Sequence, residues 1–481
     1  MSTLAARIDA ARARLAAVGQ AHLLNFVASL DAAAQEALVA QVESLDLAAL
    51  PALIDTYVKS KPAAAMPKSL GPAPYYPVDR ASTMRAWDRA RFQHLGDAML
   101  RGGKVAAFVV AGGQGSRLGF EGPKGCFPAG AVTGKSLFQI FAENLLGAKD
   151  RYDVRVPWYI MTSPLNHKAT VEFFQAHDYF GLSREDVRFF PQGVMPSLDI
   201  TSGKVLLASK GEVATNPDGH GGCIRALHQS GALADMKSRG ITQLSYFQVD
   251  NPNVRILDPI FLGLHANASD SSGEMSSKMV AKAGPGEKVG VFCLADGKIE
   301  VLEYSDLPKG LAEETHPDGS LRYNAGSVAI HALGVEFIER LATDTRFALP
   351  FHRAEKKVPC IDAATGAPIT PTANNGVKLE KFVFDALALC RASIVVETDR
   401  VEEFAPIKNA TGSDSVETCQ QIQTLRSARW LAACGVDVPM KPDGVTPDCV
   451  IEISPRTATC AEELRSARLP GSIQRGARVA F

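Results

Sequence analysis

The chain lacks a charge excess of either sign, because 51 Lys and Arg are balanced by 52 Asp and Glu, which leaves a formal net charge of −1. Without a field of one sign, bulk electrostatics cannot gather nucleic acid or an anionic membrane. Long apolar runs are also missing, and the stretch 105–110 is far shorter than the roughly 18 residues that a membrane span needs. We therefore expect neither a nucleic acid nor a membrane as a partner.

Cysteine and histidine pairs at metal-site spacing are missing as well. The nine cysteines are an odd number without a C-x-x-C pair, so neither a disulfide framework nor a zinc ribbon is predicted. The ten histidines show no H-x₃-H spacing, which argues against a zinc enzyme. Charges throughout the first residues are untypical of a secretory signal peptide. Reduced thiols without a leader predict a cytoplasmic protein.

What the chain has is length and apolar content, with 481 residues of which 46% are hydrophobic. At about 150 residues per domain this predicts roughly two to four domains. Apolar residues at helical spacing predict helices up to about Ser60, and five prolines in residues 61–79 predict an extended connection. We predict a helical segment with its linker over residues 1–99, a catalytic domain over 100–405 and a small C-terminal domain over 406–481, whose strand signal is VIEI (450–453).

Short apolar runs alternate with helical stretches beyond about residue 100. The predicted strands are KVAAFVV (104–110), VPWYIMTS (156–163), DVRFFPQ (186–192) and QLSYFQVD (243–250). This alternation predicts an α/β fold with a mainly parallel central sheet. Ser136 and Gln139 form an S-x-x-Q capping box at the start of one helix, and Asp296-Gly297 predicts a hairpin within residues 289–305.

The most informative stretch is VVAGGQGSRLGFEGPK (109–124), in which a strand runs into a cluster of glycines followed by two cations. Glycines after a strand allow successive backbone N–H groups to point at phosphate oxygens. The guanidinium of Arg117 and the ammonium of Lys124 suit neighbouring phosphate oxygens. The stretch therefore predicts a triphosphate-binding loop in which these two cations contact phosphate.

Other interpretations of the glycines compete with this one. Gly113, Gly115 and Gly119 are spaced G-x-G-x-x-x-G, which fails the dinucleotide fingerprint G-x-G-x-x-G. GAVTGKS (130–136) is similar to a P-loop, but it has three residues between its glycines where four are required, and it follows no strand. A simple tight turn is the remaining structural alternative.

Asp250 follows the apolar run LSYFQV, which places its carboxylate at the carboxyl end of a predicted central strand. Open α/β sheets bind ligands at that edge. A carboxylate together with phosphate oxygens and water is the usual environment of Mg²⁺, so Asp250 is the candidate metal ligand and Mg²⁺ the expected cofactor. An Asp that merely opens a turn before Asn251-Pro252 is the alternative.

AGGQGSRLG followed by PKG resembles the signature of the eukaryote-type UDP-sugar pyrophosphorylases, and most closely their N-acetylhexosamine branch. The resemblance extends in order over PWYIMTS, FFPQGVMPS, PDGHGG, VDN, EYSD, NAG, NGVKLEKFVFD and EEFAPIKNA, within roughly residues 75–410. It implies a nucleotidyltransferase fold, Rossmann-type and glycosyltransferase-A-like, and attack by a sugar-1-phosphate on the α-phosphate of UTP with release of pyrophosphate. No nucleophilic side chain is then required.

The resemblance also implies roles for individual residues, some of which coincide with the candidates above. The implied catalytic residues are Arg117, Lys124 and Lys408, the nucleotide-binding residues are Ala111, Gly112, Gly113, Gln192, Gly219, Asp250 and Lys378, and the sugar-binding residues are His220, Glu303, Tyr304 and Asn324. A glutamine amide can both donate to and accept from a uracil edge, and short carboxylate and amide groups suit hydroxyl recognition.

Two positions depart from the family pattern. Ser116 stands where Thr is usual and keeps the hydroxyl. His220 in PDGHGG stands where the N-acetylhexosamine enzymes usually have Asn and the glucose-type relatives have His. A UTP-dependent N-acetylhexosamine-1-phosphate uridylyltransferase is the main hypothesis, and glucose-1-phosphate is the alternative substrate. A non-catalytic nucleotide-sugar sensor and a P-loop NTPase are more distant alternatives, and the sequence leaves the oligomeric state open.

Overall fold

The computed structural model describes residues 3–60, 67–79 and 85–481. Its α-helices are α1 Leu4–Ala17, α2 Ala32–Ser44, α3 Leu50–Ile54, α4 Arg89–Arg101, α5 Leu137–Tyr152, α6 His167–Ala176, α7 Cys223–Gln229, α8 Ala232–Ser238, α9 Pro259–Asn267, α10 Lys309–Ala312, α11 Val335–Thr343, α12 Ala386–Leu389, α13 Arg400–Glu403, α14 Val416–Ala433 and α15 Ala461–Leu464. In the described ranges, no helix combines the length and the apolar character that crossing a membrane requires.

The strands are β1 Leu70–Pro72, β2 Val105–Val110, β3 Trp158–Thr162, β4 Val187–Pro191, β5 Val194–Pro196, β6 Leu198–Asp199, β7 Leu207–Ser209, β8 Glu212–Val213, β9 Thr215–Pro217, β10 Gln243–Gln248, β11 Met275–Ala281, β12 Val291–Ala295, β13 Lys298–Leu302, β14 Ala325–Gly334, β15 His352–Lys356, β16 Cys360–Ile361, β17 Pro368–Ile369, β18 Gly376–Glu380, β19 Val395–Glu397, β20 Val450–Glu452 and β21 Arg478–Ala480. The four strands predicted from apolar runs are β2, β3, β4 and β10.

The chain groups into two compact units. Unit 1 contains residues 1–66, 193–222 and 349–383, and unit 2 contains 67–192, 223–348 and 384–481. This grouping differs from the predicted division at 99/100 and 405/406. The N-terminal helices do not form a core of their own, because Leu15, Leu38 and Val42 pack with Val213 and Leu379 from the two later segments of unit 1.

Details of the N-terminal third differ from the sequence prediction. Leu23 and Val27 show helical spacing but lie in two short 3₁₀ turns, 21–24 and 27–29, because α1 ends before the left-handed Gly19. Within the predicted linker 61–79, residues 61–66 lie outside the described residues. Leu70–Pro72 forms an edge strand of the unit 2 sheet, which is a position that tolerates proline.

Unit 2 is built on a mixed sheet in which β10, β2, β3 and β4 are parallel neighbours and β14 and β12 continue the sheet antiparallel. Residues of β2 and β3 are buried on both faces, as parallel strands covered by helices require. The Ser136 hydroxyl accepts from Gln139 N–H at 3.1 Å and starts α5 at the predicted place, but the predicted capping box is only half formed, because the Gln139 side chain donates to Glu143. β12 and β13 form the predicted hairpin, with φ positive at Asp296 and Gly297.

Candidate active site

The residues that follow β2 form a closed loop, here called the glycine loop (residues 111–124). Gly115 N–H donates to Gly122 O at 2.9 Å, and Lys124 N–H donates to Gly113 O at 3.0 Å, so the loop returns to its own start. Gly119 has a φ of 68°, a left-handed conformation that favours glycine. A Cβ at Gly112 would lie 2.4 Å from Gln192 Oε1, so glycine is required for this close approach.

The glycine loop brings a buried ammonium group next to other charges. Lys124 is buried, and its Nζ donates to Ile407 O at 3.4 Å. Burial lowers the pKa of Lys124, the Asp250 carboxylate raises it in part, and the charges of Arg117 and Lys408 lower it further. Asp250, Arg117 and Lys408, which with Lys124 come from three separate stretches of sequence, therefore each lie within electrostatic reach of Lys124.

Lys408 directly follows Ile407, the residue whose backbone carbonyl accepts from Lys124. Its ammonium group forms a 3.4 Å ion pair with Asp414, and its backbone N–H donates to Asp414 O at 2.7 Å. Ile407 N–H donates to Asp250 O at 2.8 Å. The backbone therefore ties the predicted phosphate contact directly to the predicted metal ligand.

Sequence reasoning missed a buried residue that holds the glycine loop in place. Asn166 donates through Nδ2 to Ala111 O at 3.0 Å and to Gly113 O at 3.2 Å, and its Oδ1 accepts from Ser163 N–H. Gln192 is buried at the end of β4, and its N–H donates to Thr162 O. An amide in a T-S-P-L-N stretch directly after a strand could have indicated Asn166.

The Asp250 carboxylate is half-buried at the carboxyl end of β10. Among the described residues, no group of three or more His, Cys, Asp or Glu side chains is arranged to hold a metal ion. A Mg²⁺ ion here would thus take one carboxylate from the protein and its other ligands from phosphate oxygens and water, which is common for this ion. A carboxylate near the cations predicted to contact phosphate fits that requirement.

The sheet register places the predicted sugar-binding residues of unit 2 at the same edge. Glu303 and Tyr304 follow β13 and Asn324 precedes β14. Leu302 is paired with Val291, which in turn is paired with Gly326. Because β14 runs antiparallel to β10, its first residues lie at the carboxyl edge of the parallel strands. Tyr304 is half exposed there, and Asn324 Nδ2 contacts the hydroxyl of Tyr75 at 3.5 Å.

The remaining predicted residues, Gly219, His220 and Lys378, belong to unit 1. Gly219 has a φ of 83°, and a Cβ there would lie 2.3 Å from Lys381 O. Gly221 N–H donates to that same carbonyl at 2.7 Å, so the loop 218–222 is closed by backbone contacts. Lys378 lies in β18, the middle strand of the sheet β15-β18-β6, and is paired with Ala354 of β15.

His220 is held in one orientation and one tautomer. Its ring stacks on Phe382 with centroids 5.1 Å apart, and Phe382 stacks on His352 at 4.2 Å. Val383 N–H donates to His220 Nδ1 at 3.1 Å, so the proton of the neutral ring lies on Nε2. Burial and then the neighbouring His352 lower the pKa of His220 to about 4. At neutral pH this ring therefore acts as an uncharged hydrogen-bond donor.

The second stretch that is similar to a phosphate loop, residues 130–136, is occupied by the protein itself. The buried Glu452 carboxylate accepts from Val132 N–H at 2.8 Å, from Thr133 N–H at 2.9 Å and from the Thr133 hydroxyl at 2.6 Å. Lys135 forms a 2.9 Å ion pair with Glu143. The backbone donors and the cation are thus already used within the protein, which removes this stretch as a phosphate site.

Comparison with known proteins identifies the family. Residues 78–439 match the family described as UTP-glucose-1-phosphate uridylyltransferase. The chain belongs to this family. It is 36% identical over 480 residues to UDP-N-acetylhexosamine pyrophosphorylase-like protein 1 of Homo sapiens, covering 94% of this chain and 93% of the relative. It is 37% identical over 380 residues to UDP-N-acetylglucosamine pyrophosphorylase of Saccharomyces cerevisiae, covering 78% of each.

A solved structure of similar architecture is the UDP-N-acetylglucosamine pyrophosphorylase from Trypanosoma brucei, with a TM-score of 0.81 and 25% identity over 100% of this chain and 99% of that one. Family, fold class and enzyme class are therefore confirmed as predicted: this is a uridylyltransferase of the UDP-sugar pyrophosphorylase type. The roles of the individual site residues stay predictions.

Proposed function

We propose that the protein transfers the uridylyl group of UTP to an N-acetylhexosamine-1-phosphate, giving UDP-N-acetylhexosamine, chiefly UDP-N-acetylglucosamine, and pyrophosphate. The observation that carries this proposal is the connection of Lys124 and Asp250 through Ile407, the neighbour of Lys408, at the carboxyl edge of the sheet, where Arg117 also acts on the Lys124 charge. The names of relatives at 36–37% identity favour an N-acetylhexosamine over glucose as the sugar.

Both reactants are anions, so the barrier depends on bringing the sugar phosphate in line with the α-phosphorus and on stabilising charge on the phosphoryl oxygens. The N–H groups of Gly112 and Gly113 would orient the triphosphate, whereas Ala111 N–H already donates to Met161 O at 2.7 Å. Lys124 has lost much of its hydration on burial, so its charge acts strongly on a phosphate oxygen within reach. Arg117, which is exposed, and Lys408 would neutralise charge that develops as pyrophosphate leaves.

Magnesium is part of the proposal. Asp250 would hold the ion together with phosphate oxygens and water. When bound, Mg²⁺ would neutralise charge on the phosphates. The chain's own contribution is to fix the backbone of Asp250 through the 2.8 Å bond that Ile407 N–H donates to its main-chain carbonyl.

Recognition of uracil and sugar is assigned to the remaining predicted residues. Gln192 would pair with the uracil edge, Gly219 would allow the backbone to approach the base, and Lys378 would contact a phosphate. His220, Glu303, Tyr304 and Asn324 would bind sugar hydroxyls or the acetamido group.

Glucose-1-phosphate is the alternative sugar because of one observation. His220 presents an Nε2–H donor where an Asn would offer both a donor and an acceptor. A site built around a donor alone could accept a hydroxyl in place of an acetamido group.

The deciding experiment measures pyrophosphate release from UTP and Mg²⁺ over a panel of sugar-1-phosphates, with N-acetylglucosamine-, N-acetylgalactosamine- and glucose-1-phosphate among them. We expect the highest kcat/KM with an N-acetylhexosamine, and no release without sugar. Preference for glucose would establish the alternative sugar. UDP-sugar binding without turnover would indicate a sensor, and phosphate release without sugar an NTPase.

A cytoplasmic location is also proposed. It is supported by nine free cysteines, six of them buried, which a reducing compartment preserves. Oxidative cross-linking of the purified protein, absent in the protein as extracted, would be consistent with this location.

A further inference from the structure

The segment that ends in Lys408 lies along the segment that begins with Asp250, and hydrogen bonds join the two throughout. Asn251 Nδ2 donates to Glu403 O at 2.7 Å, and Asn251 Oδ1 accepts from Ala405 N–H at 3.0 Å. Asn253 Nδ2 donates to Val401 O at 3.1 Å. Asn251 and Asn253 are both buried, so they join the two segments without exchanging partners with water.

A buried charge cluster fixes the middle of the same segment. Lys278, only 1% exposed, places Nζ 2.7 Å from Glu403 Oε2 and 2.7 Å from Asp258 Oδ2. Thr398 donates its hydroxyl to Glu403 Oε1 at 2.7 Å. Lys278 lies in β11, where it is paired with Val396 of β19 and stands at an irregularity in the pairing with β14. The Glu403 side chain is therefore attached to the interior of the sheet.

Burying such charges is expensive, and well-packed apolar residues often serve stability equally well. The cluster therefore has a weak stability rationale. It does have a clear geometric effect, since Glu403 precedes by five residues the lysine predicted to contact phosphate. Between them lies Ile407, whose N–H bonds to Asp250 O and whose carbonyl accepts from Lys124.

We propose that Asn251 and the Lys278–Glu403 pair are positioning residues, which hold Lys408, Lys124 and the Asp250 carboxylate at a fixed spacing for transfer. None of the three needs to touch substrate. The inference rests on the proposed function, because the spacing matters for catalysis only if these groups act on the phosphates of UTP.

Two substitutions test the proposal by turnover with UTP and an N-acetylhexosamine-1-phosphate. Asn251→Ala removes both side-chain bonds and should lower kcat by about 10²-fold, since displacements of about 1 Å have such effects. The KM for the sugar phosphate should change less than about threefold. Glu403→Ala should behave similarly. Glu403→Gln keeps the shape and one acceptor oxygen, but its NH₂ group cannot accept from the Lys278 ammonium, so it should restore the activity only in part.

A matched control is available at the opposite edge of the sheet. Glu274 is as buried as Glu403 and accepts from Arg340 at 2.8 Å and from Arg391 N–H at 2.6 Å. Glu274→Ala should lower the thermal unfolding temperature by an amount comparable with that of Glu403→Ala, yet leave kcat within about twofold of the unchanged protein. Equal losses of kcat at both positions would overturn the proposal in favour of a purely structural role.

Hydrogen exchange separates failure of this inference from failure of the proposed function. The amides of Ala405 and Ile407 should exchange about tenfold faster in Asn251→Ala and Glu403→Ala, and at the unchanged rate in Glu274→Ala. If the unchanged protein turned over no sugar phosphate, the proposed function would fail while this exchange result still established the positioning. Unchanged exchange together with unchanged kcat in both site variants would refute it.

Discussion

The glycine loop and residues 130–136, both in unit 2, combine glycines with a lysine, and they differ in whether a carboxylate of the protein takes up their donors. In the glycine loop, Lys124 is buried and its ammonium donates to a backbone carbonyl, Ile407 O, while Asp250, Arg117 and Lys408 act on its pKa. In residues 130–136, Glu452 takes the backbone donors and Glu143 takes Lys135. A glycine-lysine motif thus indicates a phosphate site only where no acid of the protein already supplies the negative charge.

The largest loss of activity is expected when the cations of the glycine loop are removed. Arg117→Ala and Lys124→Ala should each lower kcat by about 10²- to 10³-fold, because each removes charge stabilisation that grows in the transition state. The KM for the sugar phosphate should change only a few-fold. Pyrophosphate release at saturating UTP measures both quantities.

Lys135→Ala is the matched control, since it removes the lysine of the other loop together with its ion pair to Glu143. Activity should stay within about twofold, as expected for an ion pair remote from the site. A loss as large as that of Lys124→Ala would show that the two loops are not functionally different.

Because the pKa of Lys124 is lowered, we expect the activity to depend on pH on the alkaline side. Lys124 must be charged to bind phosphate, and its pKa lies below the ordinary value for lysine. The kcat/KM for UTP, which reports on the free enzyme, should therefore decline on the alkaline side before an ordinary lysine would lose its proton, by up to tenfold per pH unit. In Lys124→Arg the guanidinium stays charged, so the alkaline decline should move to higher pH. A decline at the same pH in that variant would assign it to another group.

Unit 1 provides a third glycine loop, 218–222, in which the backbone is engaged with Lys381, and the proposed function assigns a sugar contact to its His220 side chain. His220→Asn should raise the ratio of kcat/KM for N-acetylglucosamine-1-phosphate over glucose-1-phosphate by about tenfold, the size expected for one changed polar contact. With a pKa of about 4, His220 should give no change in this ratio between about pH 6 and 8. The exposed His228→Asn is the control, and its ratio should equal that of the unchanged protein.

The smallest effect on activity is expected at Glu452, whose carboxylate closes the loop of residues 130–136. Glu452→Gln keeps the shape but weakens three bonds to a carboxylate, and should lower the free energy of unfolding by about 1–3 kcal/mol. Its kcat should stay within about twofold. The exposed Glu417→Gln should change stability by less than about 0.5 kcal/mol. Loss of kcat in Glu452→Gln without loss of stability would place that loop in the reaction.

Much of the sheet could be predicted from sequence because parallel strands buried on both faces are written as continuous apolar runs, as in VAAFVV and QLSYFQ. The helix cap at Ser136 and the hairpin turn at Asp296-Gly297 could also be predicted, because each depends on a few consecutive residues. The helical spacing of the apolar residues in 23–30 predicted an α-helix that the structure does not have, because short 3₁₀ turns bury the same apolar side chains that an α-helix would.

By itself, the sequence determined the family, the four parallel strands and the residues that follow their carboxyl ends, because each of these is encoded in a few consecutive positions. Only the tertiary structure decided that Glu452 closes the second loop, that Asn166 supports the first, and that Asn251 is joined to Glu403. These partners lie between 53 and 320 residues apart. A hydrogen bond over such a separation depends on how the whole chain packs, and no local pattern of residue types records it.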